Sequence, residues 1–310
     1  MSTPVGFTLV QLRYFTVAAE TGSMTAAAER LVIAQSAVSS AVSNLEHALG
    51  VQLFIRHRAK GLTLTTAGVR LLREARKLLA HAQEVADETR DSGTALTGPV
   101  ALGCFITLAP FHLPALLDEF ATRHPGIEVS VTEAEATELE QALRAGRIEF
   151  ALSYDLGFGD DVARESLAHV PAHAIVAPDH PLAGRKAVDL AELAHEPFVL
   201  LDLPYSRDYF RSLVKATGAT PVVRHRSQSY EAVRSLVARG HGFSLLNQRP
   251  ATSQTYGGGE VVALPLTNDH PPLDLVLAQT TGIRQTARAR ALMDAVRQLV
   301  QEADTAAPAG

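Results

Sequence analysis

Cysteine is almost absent from this 310-residue chain, with Cys104 the only one. No internal disulfide can form and no cysteine-based zinc site can be assembled. Long apolar runs are missing too. No stretch reaches the roughly 18 apolar residues of a transmembrane helix. The first residues, MSTPVGFTLVQLRYF, lack the charged-then-apolar pattern of a signal peptide. A cytoplasmic location with no membrane partner is the expectation. No repeat of fixed period occurs. Catalytic signatures are absent as well. There is no G-x-S-x-G elbow. GGG at 257–259 lacks the Lys and Ser/Thr of a phosphate loop and reads as a turn. GHGF at 240–243 reads as a helix-to-strand turn. His169 and His173 stand four apart in HVPAH, but Pro171 keeps them off one helical face. The twelve histidines therefore yield no catalytic or metal set, and neither an enzyme nor a cofactor is expected.

What is present is apolar mass and a lopsided charge. Apolar residues make up 46% of the chain, enough for a sizeable core. Residues 1–80 hold nine Lys/Arg against four Asp/Glu, and the remainder holds nineteen against twenty-nine. A basic N-terminal unit on an acidic body makes nucleic acid a candidate partner for the basic end.

The basic end reads as a sequence of short elements. Leu9, Leu12, Phe15 and Ala19 recur at helical spacing, and Thr21-Gly22 ends that helix. Ser23 is an N-cap for a second helix whose stripe is Met24, Ala27, Ala28 and Leu31. Val32-Ile33 makes a corner. A third helix runs from about Gln35 to Leu49, with Val38, Ala41 or Val42, Leu45 and Leu49 inward and Gly50 as its stop. VQLFIRHRAKGLTLTTAG then reads as two strands around a basic tip, with Leu53 and Ile55, and Leu62 and Leu64, alternating with polar neighbours. Three helices and a basic hairpin make a winged helix-turn-helix. From Thr66 to about Asp91 a long helix is predicted, and Leu71, Ala75, Leu78, Ala82, Val85 and Thr89 form a heptad seam. The seam points to pairing with a second chain through Leu71, Leu78 and Val85; packing on its own domain is the alternative.

Ser92-Gly93 and Gly98-Pro99 mark a hinge into the body. There VALGCF, IEVSVTE, IEFALSY, HAIVAP, FVLL, VVRHR, FSLLN and LDLVLAQ read as strands. Helical stretches fall between most of them and close the chain with QTARARALMDAVRQLVQEA. The alternation predicts an α/β sheet with parallel strands. The tail DTAAPAG reads as disordered.

The chain resembles the LysR-type transcriptional regulators over nearly its whole length. LRYFTVAAETGSMTAAAERL, QSAVSSAVSNLEHALGVQLFIR and LTLTTAG carry the likeness in the basic end. GCFITLAPFHLPALLDEFATRHPGIEV, LRAGRIEFAL and APDHPLAG carry it in the body. The resemblance implies a winged helix-turn-helix DNA-binding domain over residues 1–65 and a linker and dimerisation helix over 66–93. It implies an α/β effector-binding domain over 94–303, with 304–310 as a disordered tail. That domain would consist of two Rossmann-like subdomains, periplasmic-binding-protein-like, at about 98–170 with 272–303 and about 171–271. The implied partners are double-stranded promoter DNA, a small-molecule effector, further copies of the chain as a homodimer pairing to a homotetramer, and RNA polymerase if the outcome is activation.

In that plan the third helix enters the major groove with Gln35, Ser36, Ser39 and Ser40 near base edges. Family members often carry Ser or Thr where Ala34 stands, and Arg or Gln around Ser40, Ala41, Ser43 and Asn44. Small neutral residues supply no phosphate attraction, the term that dominates affinity. Arg56, His57, Arg58 and Lys60 on the wing are the nearest charges, with Arg30 and Arg13 also in reach. In the body, Thr107 opens a helix where the family commonly places an effector contact, beside Cys104, Phe105 and Ile106. Ser153 and Tyr154, Tyr205, Ser206 and Arg207, Ser227, Ser229 and Tyr230, and Asn247 and Gln248 recur at strand-to-helix switches, where a shared cleft is expected. A small, polar or anionic organic effector fits that set. A thiol sensor at Cys104 is an alternative, and a solute-binding protein without regulatory role is a third reading.

Overall fold

The computed structural model describes residues 6–57, 61–90 and 96–306. The chain divides into two compact units, with the break between Leu96 and Thr97.

The first unit contains α1 (Leu9–Thr21), α2 (Met24–Leu31), α3 (Gln35–Leu49), the hairpin β1 (Phe54–His57) and β2 (Gly61–Leu64), and α4 (Thr66–Arg90). Local chemistry sets the helix starts. Thr8 and Gln11 form a reciprocal capping box on α1, and the Ser23 hydroxyl accepts the Ala26 N–H at the start of α2. Thr65 accepts the Gly68 N–H at 3.0 Å and so caps α4. Leu12, Phe15, Ala18, Ala27, Val38, Val42 and Leu45 are fully buried and form one core. Val42 takes the inward position left open between it and Ala41.

The hairpin differs from the alternation read in the sequence. Ile55 is 49% exposed, whereas the consecutive Leu53 and Phe54 both point inward. The cause is Glu46 on α3. Its carboxylate accepts the N–H groups of Leu53 at 2.7 Å and Phe54 at 3.2 Å, bending the strand entry so that two successive side chains face the core. The Phe54 ring then lies 5.3 Å from that of Phe15. The start of α4 is equally close-fitted. A Cβ at Gly68 would collide with the Leu53 carbonyl oxygen, so only glycine allows the linker helix to leave the wing at this point.

Val32 closes α2 with φ +56° and is 89% exposed. A β-branched residue in the left-handed region costs roughly 1–2 kcal/mol, and Asn tolerates that region better. Val32→Asn is expected to raise the stability of this unit by about 1 kcal/mol, measured by urea unfolding. A lower midpoint would refute it.

The second unit contains β3 (Gly98–Phe105), α5 (Ala109–Arg123), β4 (Ile127–Ala134), α6 (Ala136–Arg144), β5 (Phe150–Tyr154) and β6 (Val162–Val170). It continues with β7 (His173–Val176), α7 (Leu190–Leu193), β8 (Pro197–Leu201), α8 (Ser206–Ala216), β9 (Val222–Ser227), α9 (Tyr230–Ala238) and β10 (Ser244–Leu246). β11 (Val262–Pro265), β12 (Leu273–Thr280) and α10 (Ala287–Ala306) complete it. One sheet has the order β4-β3-β5-β12-β6. A second region combines β10-β7-β11 with the pair β8-β9, joined by a bridge between Phe198 and Phe243.

The expected parallel sheet is only partly present. β3 runs parallel to β4 and β5, and β8 to β9, but β12 is antiparallel to both β5 and β6, and β7 to both β10 and β11. The chain leaves the first sheet along β6 and returns along β12, Val170 facing Leu273, so the two crossing segments must run in opposite directions. β6 had no legible period because it is an edge strand with a mixed burial pattern. α10 continues to Ala306, three residues into the segment read as disordered. Among the described residues no helix is long and apolar enough to cross a membrane.

His173 on β7 is held neutral, its pKa lowered to about 4 by burial and by the nearby charge of Arg249. Burial lowers His112 as well. An unfolded histidine titrates near 6.5, so below that pH the unfolded chain takes up a proton that the native state refuses. Stability of the second unit is expected to fall between pH 6.5 and about 4, by on the order of 2–3 kcal/mol from His173. His173→Gln should flatten that part of the curve; an unchanged slope would refute the assignment.

Candidate functional site

Two surfaces carry the polar groups singled out in the sequence. On α3, Val38, Val42 and Leu45 face the core, which turns Gln35, Ser36 and Ser40 outward, with Ser39 half-buried. Ala34 provides no side-chain cap, so the first N–H groups of α3 stay available at the positive end of the helix dipole. Arg30 and Arg76 share Glu20, each at 3.1 Å; Arg30 is thus an ion-paired charge on an exposed stem. Arg56 and His57 belong to β1, paired with Leu62 and Gly61. Arg58 and Lys60 lie outside the described residues.

Within the second unit, a cleft is lined from both sheet regions. Thr107 enters from the turn after β3, Tyr154 from the end of β5, Ser206 and Phe210 from α8, Tyr230 from α9, and Asn247 and Gln248 from beyond β10. Hydrogen bonds cross it. The Gln248 side-chain amide donates to the Tyr154 hydroxyl at 3.0 Å, and the Tyr230 hydroxyl donates to the Gln248 carbonyl at 2.6 Å. Phe111 of α5 meets the Tyr230 ring edge-on, with centroids 5.8 Å apart. Burial pushes both the Tyr154 and Tyr230 phenols up, so they act as neutral hydroxyls. The free space between these groups is about 10 Å³, roughly the room of one water.

Tyr205, the neighbour of Ser206, does not itself line the cleft. Its backbone sits at φ +62°, strained for any residue but glycine. Its ring lies against Gly157 in the loop after β5, where a Cβ would collide with it. An aromatic ring from the start of α8 thereby rests on the backbone of the loop after β5.

Residues 9–69 match the family model of the bacterial regulatory helix-turn-helix protein, lysR family, and residues 93–301 match the LysR substrate binding domain. The chain belongs to the LysR family of transcriptional regulators. That family consists of regulators, not enzymes. Among solved structures, the LysR family regulator HinK from Pseudomonas aeruginosa is 37% identical, with 95% of this chain and 99% of that chain covered and a TM-score of 0.64. Full-length CbnR complexed with its target DNA is 25% identical, with 95% and 100% covered and a TM-score of 0.55. A probable hydrogen peroxide-inducible genes activator of Streptomyces viridosporus is 30% identical over 298 residues, 95% of each chain.

The residues this LysR-type regulator brings together are a subset of those proposed from its sequence. Thr107, Tyr154, Ser206 and Asn247 line the cleft. Phe105 lies behind it, buried, with its ring 5.5 Å from that of Tyr154. Ser153 is fully buried and donates to the Tyr154 carbonyl. Ser229 caps α9 by accepting the Ala232 N–H. Arg207 pairs with Asp202 at 3.6 Å and Asp208 at 3.8 Å. Cys104 has no exposed surface, and burial with the charge of Glu133 pushes its thiol up to about 12. A thiol so placed stays protonated and shielded, the opposite of a reactive sensor. The apolar wall of Leu201, Phe210 and Leu246 was not singled out in the sequence. Phe210 stands four residues after Ser206 on α8, a spacing that places both on one helical face.

Proposed function

We propose that this regulator binds promoter DNA as an oligomer and senses a small organic anion in the cleft of its second unit, in the cytoplasm. The observation that carries the effector reading is the meeting of two helix starts. Thr107 precedes α5 and Ser206 opens α8, both line the cleft, and neither helix has a side-chain cap. Uncapped N–H groups and the positive ends of two dipoles favour a negative group between them. The tyrosine hydroxyls and the Asn247 amide add neutral donors, and Phe210 with Leu246 adds apolar contact. Because the present cleft has room for little more than a water, an effector enters by parting Tyr205 from Gly157, and its binding changes the angle between the subdomains.

On the DNA side, Gln35, Ser36, Ser39 and Ser40 discriminate bases, while the N-terminus of α3 and the basic wing hold phosphates. The domain and subdomain limits expected from the resemblance apply to this scheme. Contact with RNA polymerase follows only if the regulator activates.

A thermal-shift screen against small organic acids, paired with gel shifts on the upstream intergenic DNA, tests the effector reading. An acid that raises the Tm of the wild type is expected to lose at least tenfold in affinity in Thr107→Val, through loss of a hydrogen bond to a charged group. An acid that binds Thr107→Val as tightly as wild type would contradict a cleft site.

A further inference from the structure

The loop after Gln248 borders a second, half-open cavity in the second unit, which shares Tyr230 with the cleft but none of its other lining residues. Its walls include His173 and Ile175 of β7, Tyr230 and Arg234 of α9, Arg249 at the start of the loop and Val261 before β11. It measures about 270 Å³, near the lower end of small-molecule sites.

The charges around it do not balance. The Arg234 guanidinium is fully engaged, with the Glu231 carboxylate at 2.7 Å and the carbonyls of Thr252, Ser253 and Gln254 at 3.0–3.2 Å. Glu231 also accepts the Tyr256 N–H at 2.7 Å, so both its oxygens are used. Arg249 is exposed at the rim and forms no ion pair among the described residues. Its charge reaches His173, which helps to keep that imidazole neutral. Ile175 and Val261 also line the cavity, but both are almost fully buried, so most of its surface is polar.

From the cavity, its largely polar lining and the unpaired guanidinium at its rim, we infer that this is a second ligand site, which binds a small monocarboxylate. Arg249 takes the carboxylate through its forked donors, with His173 as a neutral hydrogen-bonding neighbour. The occupant would touch Tyr230 from the side opposite the cleft.

The test is a ¹⁹F NMR titration of the full chain with 4-fluorobenzoate. Saturable binding is expected in the wild type, at least tenfold weaker in Arg249→Met and unchanged in Thr107→Val. The neutral 4-fluorobenzamide is expected to bind at least tenfold more weakly than the acid. Arg249 is exposed, so Arg249→Met should keep the wild-type Tm. Failure to saturate, or equal affinity in Arg249→Met, overturns the inference. A loss confined to Thr107→Val also overturns it, and places the probe in the cleft instead.

Discussion

Leu78→Glu is expected to abolish operator binding in a gel shift, weakening it by about a hundredfold or more, while the second unit keeps its own melting transition. The reasoning starts from the two halves of the α4 seam. Ala75 is fully buried and Leu71 packs on the core of the N-terminal unit. Those positions serve their own domain, as the alternative sequence reading held. Leu78 and Val85, seven residues apart, remain 43% and 48% exposed. Two apolar side chains at heptad spacing on an outer helix face suit a second copy of the helix. Burying each contributes roughly 1.5–3 kcal/mol, and a glutamate at Leu78 would set two carboxylates against each other across that contact. Binding of the isolated reading head is expected to be weak, because α3 carries no positive side chain before His47. Joining two heads supplies the effective concentration that its charge does not. Sedimentation should show a smaller oligomer in the mutant. Wild-type operator affinity together with a smaller oligomer would sever the proposed link between pairing and grip.

Phe15→Ala is expected to unfold the N-terminal unit at 37 °C and to leave the second unit intact. Phe15 is fully buried, between the helices of the reading head and the Phe54 ring. Truncating a buried Phe costs about 3–5 kcal/mol, a large share of the roughly 5–15 kcal/mol that stabilises a domain. The damage would spread because Phe54 is held by Glu46, and Glu46 belongs to α3. Removing Phe15 thus loosens wing and recognition helix together. Calorimetry should show the transition of the N-terminal unit lost and the other retained, with DNA binding gone. A shift under about 1 kcal/mol would mean that neighbouring side chains refill the space.

How much of this was legible in the sequence depends on how local each cause is. Ser23, Gly50 and the 3.6-residue period in Leu12, Phe15, Val38, Val42 and Leu45 act within a turn or two of chain, and the helices of the reading head lie where those signals put them. The inward turn of Phe54 was not legible, because it depends on a carboxylate eight residues away on another element. The edge strand β6 left no period for the same kind of reason: its pattern is set by β12, which pairs with it from more than a hundred residues onward.

The sequence by itself determined the family, most of the succession of helices and strands, the division between a basic reading head and an acidic body, and a set of polar residues at strand ends. These follow from residue type and spacing along a short stretch of chain. Only the tertiary structure decided which of those polar residues meet. Thr107, Tyr154, Ser206 and Asn247 converge, whereas Ser229 serves as a cap, Arg207 is ion-paired and Cys104 is sealed in the core. A side chain at a strand end is equally able to cap, to pair or to bind. The choice among these is made by the neighbours that the crossing of β6 and β12 brings to it.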